Sequence, residues 1–264
     1  MEMDRIEDLL RRLRMPRMRQ VFRDRIEDAA RDGTSIAGFL GSLLEDEVTS
    51  REESHLRSRM RRAGFPFSKT LEQFDFRRHP ELRRQVFQTY LDPGFVKDGR
   101  SLVLIGPPGL GKTHLAVAIG VQQVLRGADV RFVRVQTLLN RILDADGVRN
   151  REATLKPLRK CGLLILDELG YLLPEAETGP ILYDLISERY EKTATIITSN
   201  KSLQEWGKVL QDNALASALL DRLLHHGEVY HLKGESYRLK DKKAPERPPE
   251  PKKPETAQEE DEAA

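Results

Sequence analysis

Eight consecutive residues, Gly106-Pro107-Pro108-Gly109-Leu110-Gly111-Lys112-Thr113, concentrate more phosphate chemistry than any other stretch of this chain. They follow the apolar run Ser101-Leu102-Val103-Leu104-Ile105 and lead into His114-Leu115-Ala116-Val117-Ala118-Ile119. The octapeptide is therefore expected to link a buried strand to a helix. Its glycines let the backbone turn tightly and aim several N–H groups at an anion. The helix that starts near Lys112 adds the positive end of its dipole. Lys112 supplies a point charge for β- and γ-phosphates, and the Thr113 hydroxyl is a hard-oxygen ligand for Mg²⁺. The stretch from Gly106 to His114 is thus expected to bind a nucleoside triphosphate.

Five further residues qualify as partners of that loop. The apolar run Leu163-Leu164-Ile165-Leu166 ends in Asp167-Glu168. Asp167 is placed to hold Mg²⁺ directly or through its water, and Glu168 to orient and deprotonate the attacking water. A switch-type GTPase lacks such an adjacent Glu, and a small-molecule kinase needs an acceptor site and lid that the sequence does not display. Asn200 closes the next apolar run, Thr195-Ile196-Ile197-Thr198, as a neutral donor for the γ-phosphate or the water. Arg222 and Arg238 complete the set. An arginine can stabilise transition-state charge from a neighbouring subunit, although spacing alone singles out neither.

The elements needed to position these residues follow from periodicity. Residues 81 to 240 alternate apolar strands with helices, as a parallel sheet flanked by helices requires. Strands are expected over Ser101–Ile105, Val130–Val135, Leu163–Glu168, Thr195–Thr198 and Glu228–Leu232. Helices are expected over Glu81–Leu91, from Lys112 to near Gly127, from a Thr137 cap through Leu143, up to Lys160, over Gly179–Lys192 and over Ala214–Leu224. Asp92-Pro93-Gly94 reads as a turn, and Trp206 as a half-exposed residue or local anchor.

Residues 1 to 64 read as helices only. Ile6, Leu9, Leu10 and Leu13 share one face, Met15-Pro16 interrupts it, and Met18, Val21, Phe22 and Ile26 continue it to a cap at Gly33. Thr34 or Ser35 caps a further helix whose stripe is Ile36, Phe39, Leu40, Leu43, Leu44 and Val48, running on to Gly64. These stripes are expected to form the core of a small helical domain. Its other face is rich in arginine, and the acid-poor stretches 11–23 and 57–64 suit phosphate oxygens of nucleic acid. Residues 65–80 form an aromatic connector. The 241–264 tail, almost all Lys, Pro, Glu and Ala, is expected to be disordered.

Composition excludes several classes. The chain has 264 residues, 39% hydrophobic and 33% charged, and its net charge of +2 conceals basic and acidic regions that nearly cancel. The single cysteine, Cys161, forms no intrachain disulfide and reads as a core thiol. The N-terminus has no signal-type apolar core, and no stretch approaches the roughly 18 apolar residues of a membrane span. A cytoplasmic protein that does not enter membranes is expected.

Seven segments together resemble the IstB-type transposition helper ATPases of insertion sequences, a branch of the AAA+ proteins close to DnaC-type helicase loaders. They are GPPGLGKTHLA (106–116), LLILDELGYL (163–172), LISERYE (185–191), TIITSN (195–200), EWGKVL (205–210), LLDRLLHHG (219–227) and GESYRL (234–239). The resemblance spans about residues 5 to 240, and the stretch 174–180 is less typical of it. It implies an α/β AAA+ core preceded by an all-helical N-terminal domain, with ATP and Mg²⁺ as cofactors. Residue by residue, Asn200 matches the sensor of the γ-phosphate, Arg222 the finger that reaches a neighbour's ATP, and Arg238 the arginine that reads nucleotide within its own subunit. The implied partners are duplex DNA, a cognate transposase, and further copies of the chain in an ATP- and DNA-dependent homo-oligomer. A DnaC-like replicative helicase loader and a non-hydrolysing ATP-dependent DNA scaffold are the competing readings.

Overall fold

The computed structural model describes residues 2–170, 178–234, 236 and 237. Arg238, the 174–177 part of the atypical loop and the 241–264 tail lie outside the described residues.

The chain opens with three helices: α1 (Glu2–Arg12), α2 (Pro16–Asp32) and α3 (Ile36–Ala63). Pro16 begins α2, where its missing N–H costs nothing. Gly33 ends α2 at φ +64, and Ser35 Oγ then accepts the Gly38 N–H at 3.1 Å to cap α3. Leu10, Met18, Phe22 and Leu43 form the buried centre of this region. The expectation that all its apolar stripes are core fails. Ile6, Leu9, Leu13, Ile36, Leu40, Leu44 and Val48 stay exposed, Ile36 at 87%. The physical reason is that α3 turns its Phe39–Leu43–Glu47 row towards α2. The adjoining Ile36–Leu40–Leu44–Val48 row points elsewhere.

Glu47 is the hinge of that packing. Its carboxylate is buried and accepts the N–H groups of Arg17 (2.9 Å) and Met18 (3.0 Å), capping α2 from α3. Arg51 Nε completes the set at 2.8 Å. The far end of α3 leaves this cluster and joins the main core, where Ala63 is buried and Leu56 and Met60 pack at its edge. Arg131 fastens it by donating to the Arg62 carbonyl at 2.8 Å.

A connector containing one 3-10 turn, Phe76–Arg78, leads to α4 (Arg84–Thr89) and α5 (Pro93–Lys97). Helix α4 is shorter than the expected Glu81–Leu91, and Glu81, ahead of it, accepts the Lys233 N–H at 3.0 Å. Asp92-Pro93-Gly94, expected as a turn, instead starts α5, again with proline at the first helical position.

Strands β1 (Ser101–Ile105), β2 (Val130–Arg134), β3 (Leu163–Leu169), β4 (Ala194–Ser199) and β5 (Gly227–His231) form one parallel sheet in the order β2-β3-β4-β1-β5. Between them run α6 (Lys112–Leu125), α7 (Val135–Leu143), α8 (Gly147–Lys160), α9 (Thr178–Arg189), α10 (Trp206–Leu210) and α11 (Asn213–His225). Helix α7 follows β2 directly, so Thr137 lies inside it and is not its cap. Alternate strand residues face opposite ways. Leu102 and Leu104 join the core under α6, while Val103 and Ile105 join the core under α7 to α11. The result is a three-layer α/β/α arrangement, the α/β fold with a central parallel sheet and a helical N-terminal region that the sequence implied. Trp206 is wholly buried in the second core, an anchor and not half exposed. Cys161 is likewise a buried thiol.

Candidate nucleotide-binding site

The phosphate loop leaves the carboxyl end of β1 and enters α6, so its backbone sits at the carboxyl edge of the sheet. Gly111 has φ +88, and a Cβ there would stand 2.6 Å from the Phe74 ring, so both conformation and space demand glycine. Lys112 is buried within the loop and donates to the carbonyls of Gly106 (2.6 Å) and Pro107 (2.8 Å). Its ammonium therefore already stands inside the loop that would wrap a phosphate chain. Leu110 is buried beneath the loop, while Pro107 and Pro108 are exposed on it.

The acids arrive from β3, two strands away. Asp167 is buried, and its Oδ1 accepts the Thr113 hydroxyl at 2.8 Å and the Thr198 hydroxyl at 2.6 Å. Thr113 and Asp167 present hard oxygens only, a donor set that fits Mg²⁺ and not a softer ion. Glu168 breaks the strand geometry. Its φ is +63, the pairing of β3 with β4 shifts between Leu166 and Leu169, and its N–H is taken by Thr198 Oγ1 at 2.9 Å. A left-handed conformation at a residue other than glycine costs about 1–3 kcal/mol and persists only where the surroundings hold it. Here it swings the carboxylate out to solvent beside Asp167, with Arg134 Nε 3.9 Å away.

Asn200 follows β4, which lies between β1 and β3. Its Oδ1 is buried and has no hydrogen-bond partner among the described residues. A Cβ on Gly170, the residue after β3, would stand 2.4 Å from that oxygen. The loop, the two acids and Asn200 thus converge on one edge of the sheet from β1, β3 and β4.

Two sequence candidates point elsewhere. The His114 ring is turned to the connector, its Nε2 2.9 Å from the Thr70 carbonyl and its edge against Phe74. Burial holds its pKa below the ordinary imidazole value. Arg222, on α11, lies 4.5 Å over the Tyr183 ring, and one guanidinium nitrogen, Nη1, is buried without a partner among the described residues. With Gly99, Ser101 and Thr195 it lines a recess at the amino ends of β1 and β4. Five strand residues, about 16 Å, separate that end from the phosphate loop. Arg222 cannot serve the loop of its own chain.

The connector closes the other flank. Phe74 stacks on His79 with centroids 5.4 Å apart, and Arg78 lies 5.0 Å over the Tyr237 ring. Arg78, His79, Lys233, Gly234 and Tyr237 line an opening next to the loop, since the Tyr237 N–H donates to the Gly109 carbonyl at 3.0 Å. This aromatic and cationic wall suits a purine ring and its sugar.

Sequence reasoning missed Thr198 and Arg134. A hydroxyl ending an otherwise apolar central strand was the available signal for Thr198. Arg134 became visible only with the register that sets it opposite Asp167.

Comparison with known proteins points to an ATP-binding family. The sequence pattern of the family described as IstB-like ATP binding protein matches residues 8–245. A protein named as ATP-binding in insertion sequence IS21 of Pseudomonas aeruginosa is 40% identical over 241 residues, covering 91% of each chain. Its counterpart in insertion sequence IS5376 of Geobacillus stearothermophilus is 36% identical over 92% of this chain and 97% of that one. Among solved structures, a replication initiator DnaA bound to AMPPCP and single-stranded DNA has TM-score 0.52 at 20% identity, over 63% of this chain and 50% of that one. DnaI has TM-score 0.50 at 23% identity, over 57% and 82%. At such identities the likeness is one of fold, that of AAA+ proteins.

Proposed function

The chain belongs to the IstB-like ATP-binding proteins of insertion sequences, and from that premise we propose an ATPase that assembles on duplex DNA with ATP, is released by hydrolysis, and helps a transposase choose or prepare target DNA. The observation that carries hydrolysis is the placement of Glu168. An ATP-dependent scaffold needs the phosphate loop and Asp167 but has no use for a strained residue that presents a solvent-facing base beside them.

In this reading the loop from Gly106 to Thr113 wraps the triphosphate and Lys112 turns from its carbonyl partners to the β- and γ-oxygens. Mg²⁺, when bound at Thr113 and Asp167, supplies positive charge to the same oxygens. Glu168 accepts the proton of the attacking water, and Asn200 offers its amide to the γ-phosphate or that water. Arg238 would read nucleotide from within its own subunit. Arg222 stabilises the transition state of a neighbouring subunit, which makes hydrolysis depend on assembly. Its distance from the loop of its own chain supports that role.

The DNA part of the reading rests on the N-terminal helices. Arg12, Arg14, Arg19 and Arg61 are exposed and make no ion pair among the described residues. Guanidinium groups held free of carboxylates are suited to phosphate oxygens. Among the described residues no helix is long and apolar enough to cross a membrane, and the proposed place of action is the bacterial cytoplasm.

The test is a gel shift on duplex DNA with ATP, ADP or no nucleotide, paired with ATP turnover at increasing protein concentration. Binding that requires ATP, and specific activity that rises with concentration and with DNA, are expected. Absence of duplex binding under all three conditions would move the function to helicase loading. Turnover independent of concentration would remove the role of Arg222.

A further inference from the structure

Away from the nucleotide site, the end of α11 meets the turn between α9 and β4. Three side chains gather there. His226 Nε2 lies 3.1 Å from Glu191 Oε1, and His225 Nδ1 lies 3.6 Å from the same oxygen. One donor atom from each of the three falls within 4.8 Å of the others. The side chains of Glu191, His225 and His226 are 51%, 58% and 49% exposed, so an ion can enter from solvent.

We propose that Glu191, His225 and His226 form a binding site for a divalent transition ion of the Zn²⁺ class, with its fourth position open to solvent. Tetrahedral bonds of about 2.0–2.1 Å set neighbouring donors about 3.3 Å apart. Two of the three separations bracket that value, and rotation of the exposed His225 ring brings in the third. Two imidazoles and a carboxylate suit Zn²⁺, Co²⁺ or Ni²⁺, whereas Mg²⁺ demands six oxygens. The site is therefore chemically distinct from the one at Thr113 and Asp167, and it stands whether or not the ATPase reading does.

A neighbouring group competes for the same ligand. The Tyr190 hydroxyl sits 2.6 Å from His225 Nδ1. Metal binding through that nitrogen displaces the hydroxyl, so Tyr190 opposes binding slightly and is not a ligand. A bound ion ties together two segments 35 residues apart, and it stabilises the folded chain by binding it alone.

Co²⁺ titrated into the nucleotide-free full-length protein reads coordination directly through visible absorption, and thermal unfolding with Zn²⁺ reads the linkage. One saturable equivalent with a tetrahedral spectrum and a raised melting temperature are expected. The double variant His225→Ala/His226→Ala should lose both responses. Glu191→Gln, which keeps the shape of the turn, should weaken binding at least about tenfold. Tyr190→Phe should bind as tightly as wild type or tighter. Failure of the wild type to bind saturably, unchanged binding in the double variant or in Glu191→Gln, or loss of binding in Tyr190→Phe would each overturn the assignment.

Discussion

The Thr198 hydroxyl donates to Asp167 Oδ1 at 2.6 Å while its oxygen accepts the Glu168 N–H at 2.9 Å. One side chain thus sets both acids, fixing the carboxylate proposed to hold Mg²⁺ and locking the left-handed backbone beside it. Replacing Thr198 by Val keeps the shape and removes both bonds. We expect a loss of about 1–3 kcal/mol of stability, because a buried carboxylate and a backbone N–H lose partners. Turnover should fall further than ATP affinity, since the phosphate loop is untouched. Equilibrium unfolding and nucleotide titration on the same variant measure the two separately. Equal losses would mean that Thr198 only supports the fold.

Glu168→Gln should separate binding from turnover. The amide fills the same space but cannot accept a proton, so hydrolysis should drop by roughly the 10²–10⁴-fold of a lost general base. ATP-bound assemblies on DNA should then persist longer than those of the wild type. Single-turnover hydrolysis at saturating ATP is the measurement, and a wild-type rate there would assign the base elsewhere.

Lys112→Ala and Arg222→Ala should each abolish activity for different reasons, and their mixture is informative. Lys112→Ala removes the main cation of its own site, while Arg222→Ala would leave that site intact and disarm a neighbour's. In the proposed assembly, mixed subunits would pair an intact loop with an intact finger at some interfaces. Partial recovery of turnover on mixing two inactive proteins is therefore expected. No recovery, with both variants folded and co-assembling, would place Arg222 outside the reaction.

The N-terminal region should carry an acid-sensitive element. Burial opposes ionisation of Glu47, but the N–H groups of Met18 and Arg17 and the Arg51 guanidinium outweigh it and hold its carboxyl below the ordinary value of 4.5. A lowered folded-state pKa stabilises above the unfolded value, and the gain is lost as pH falls through the folded one. Glu47→Gln should thus cost about 1–3 kcal/mol at neutral pH. Urea unfolding of both proteins should show the difference shrinking below pH 4.5. A gap that stays constant down to about pH 3 would mean that the carboxylate charge contributes nothing.

Duplex binding should weaken steeply with salt, through release of counterions from phosphate. Changing Arg12, Arg19 and Arg61 together to Ala should flatten the logarithmic salt slope by about 0.9 for each phosphate that is no longer neutralised. The weakening should be similar on unrelated duplexes, because binding to phosphate carries no sequence information. An unchanged slope would shift the DNA surface onto the ATPase core.

The strands and the phosphate loop were legible because their signals are local. An apolar run, a glycine-rich turn and a Lys-Thr pair sit close together along the chain. Gly33 was legible as a cap for the same reason, and so was a cap at Thr34 or Ser35, of which Ser35 is the one used. What escaped depends on partners distant in sequence. Nothing local marks Glu47 for burial before α2 supplies two N–H groups, and Trp206 reads as half exposed or a local anchor until the core closes over it. The Ile36–Leu40–Leu44–Val48 row resembles core because periodicity reports which residues share a face, not whether another element covers it.

Helix α3 has one more consequence. Its 28 residues span about 42 Å without an internal proline, and it is buried at one end among α1 and α2 and at the other against β2 and α6. One unbroken helix therefore bridges the first two helices and the edge strand whose last residue, Arg134, stands beside Glu168.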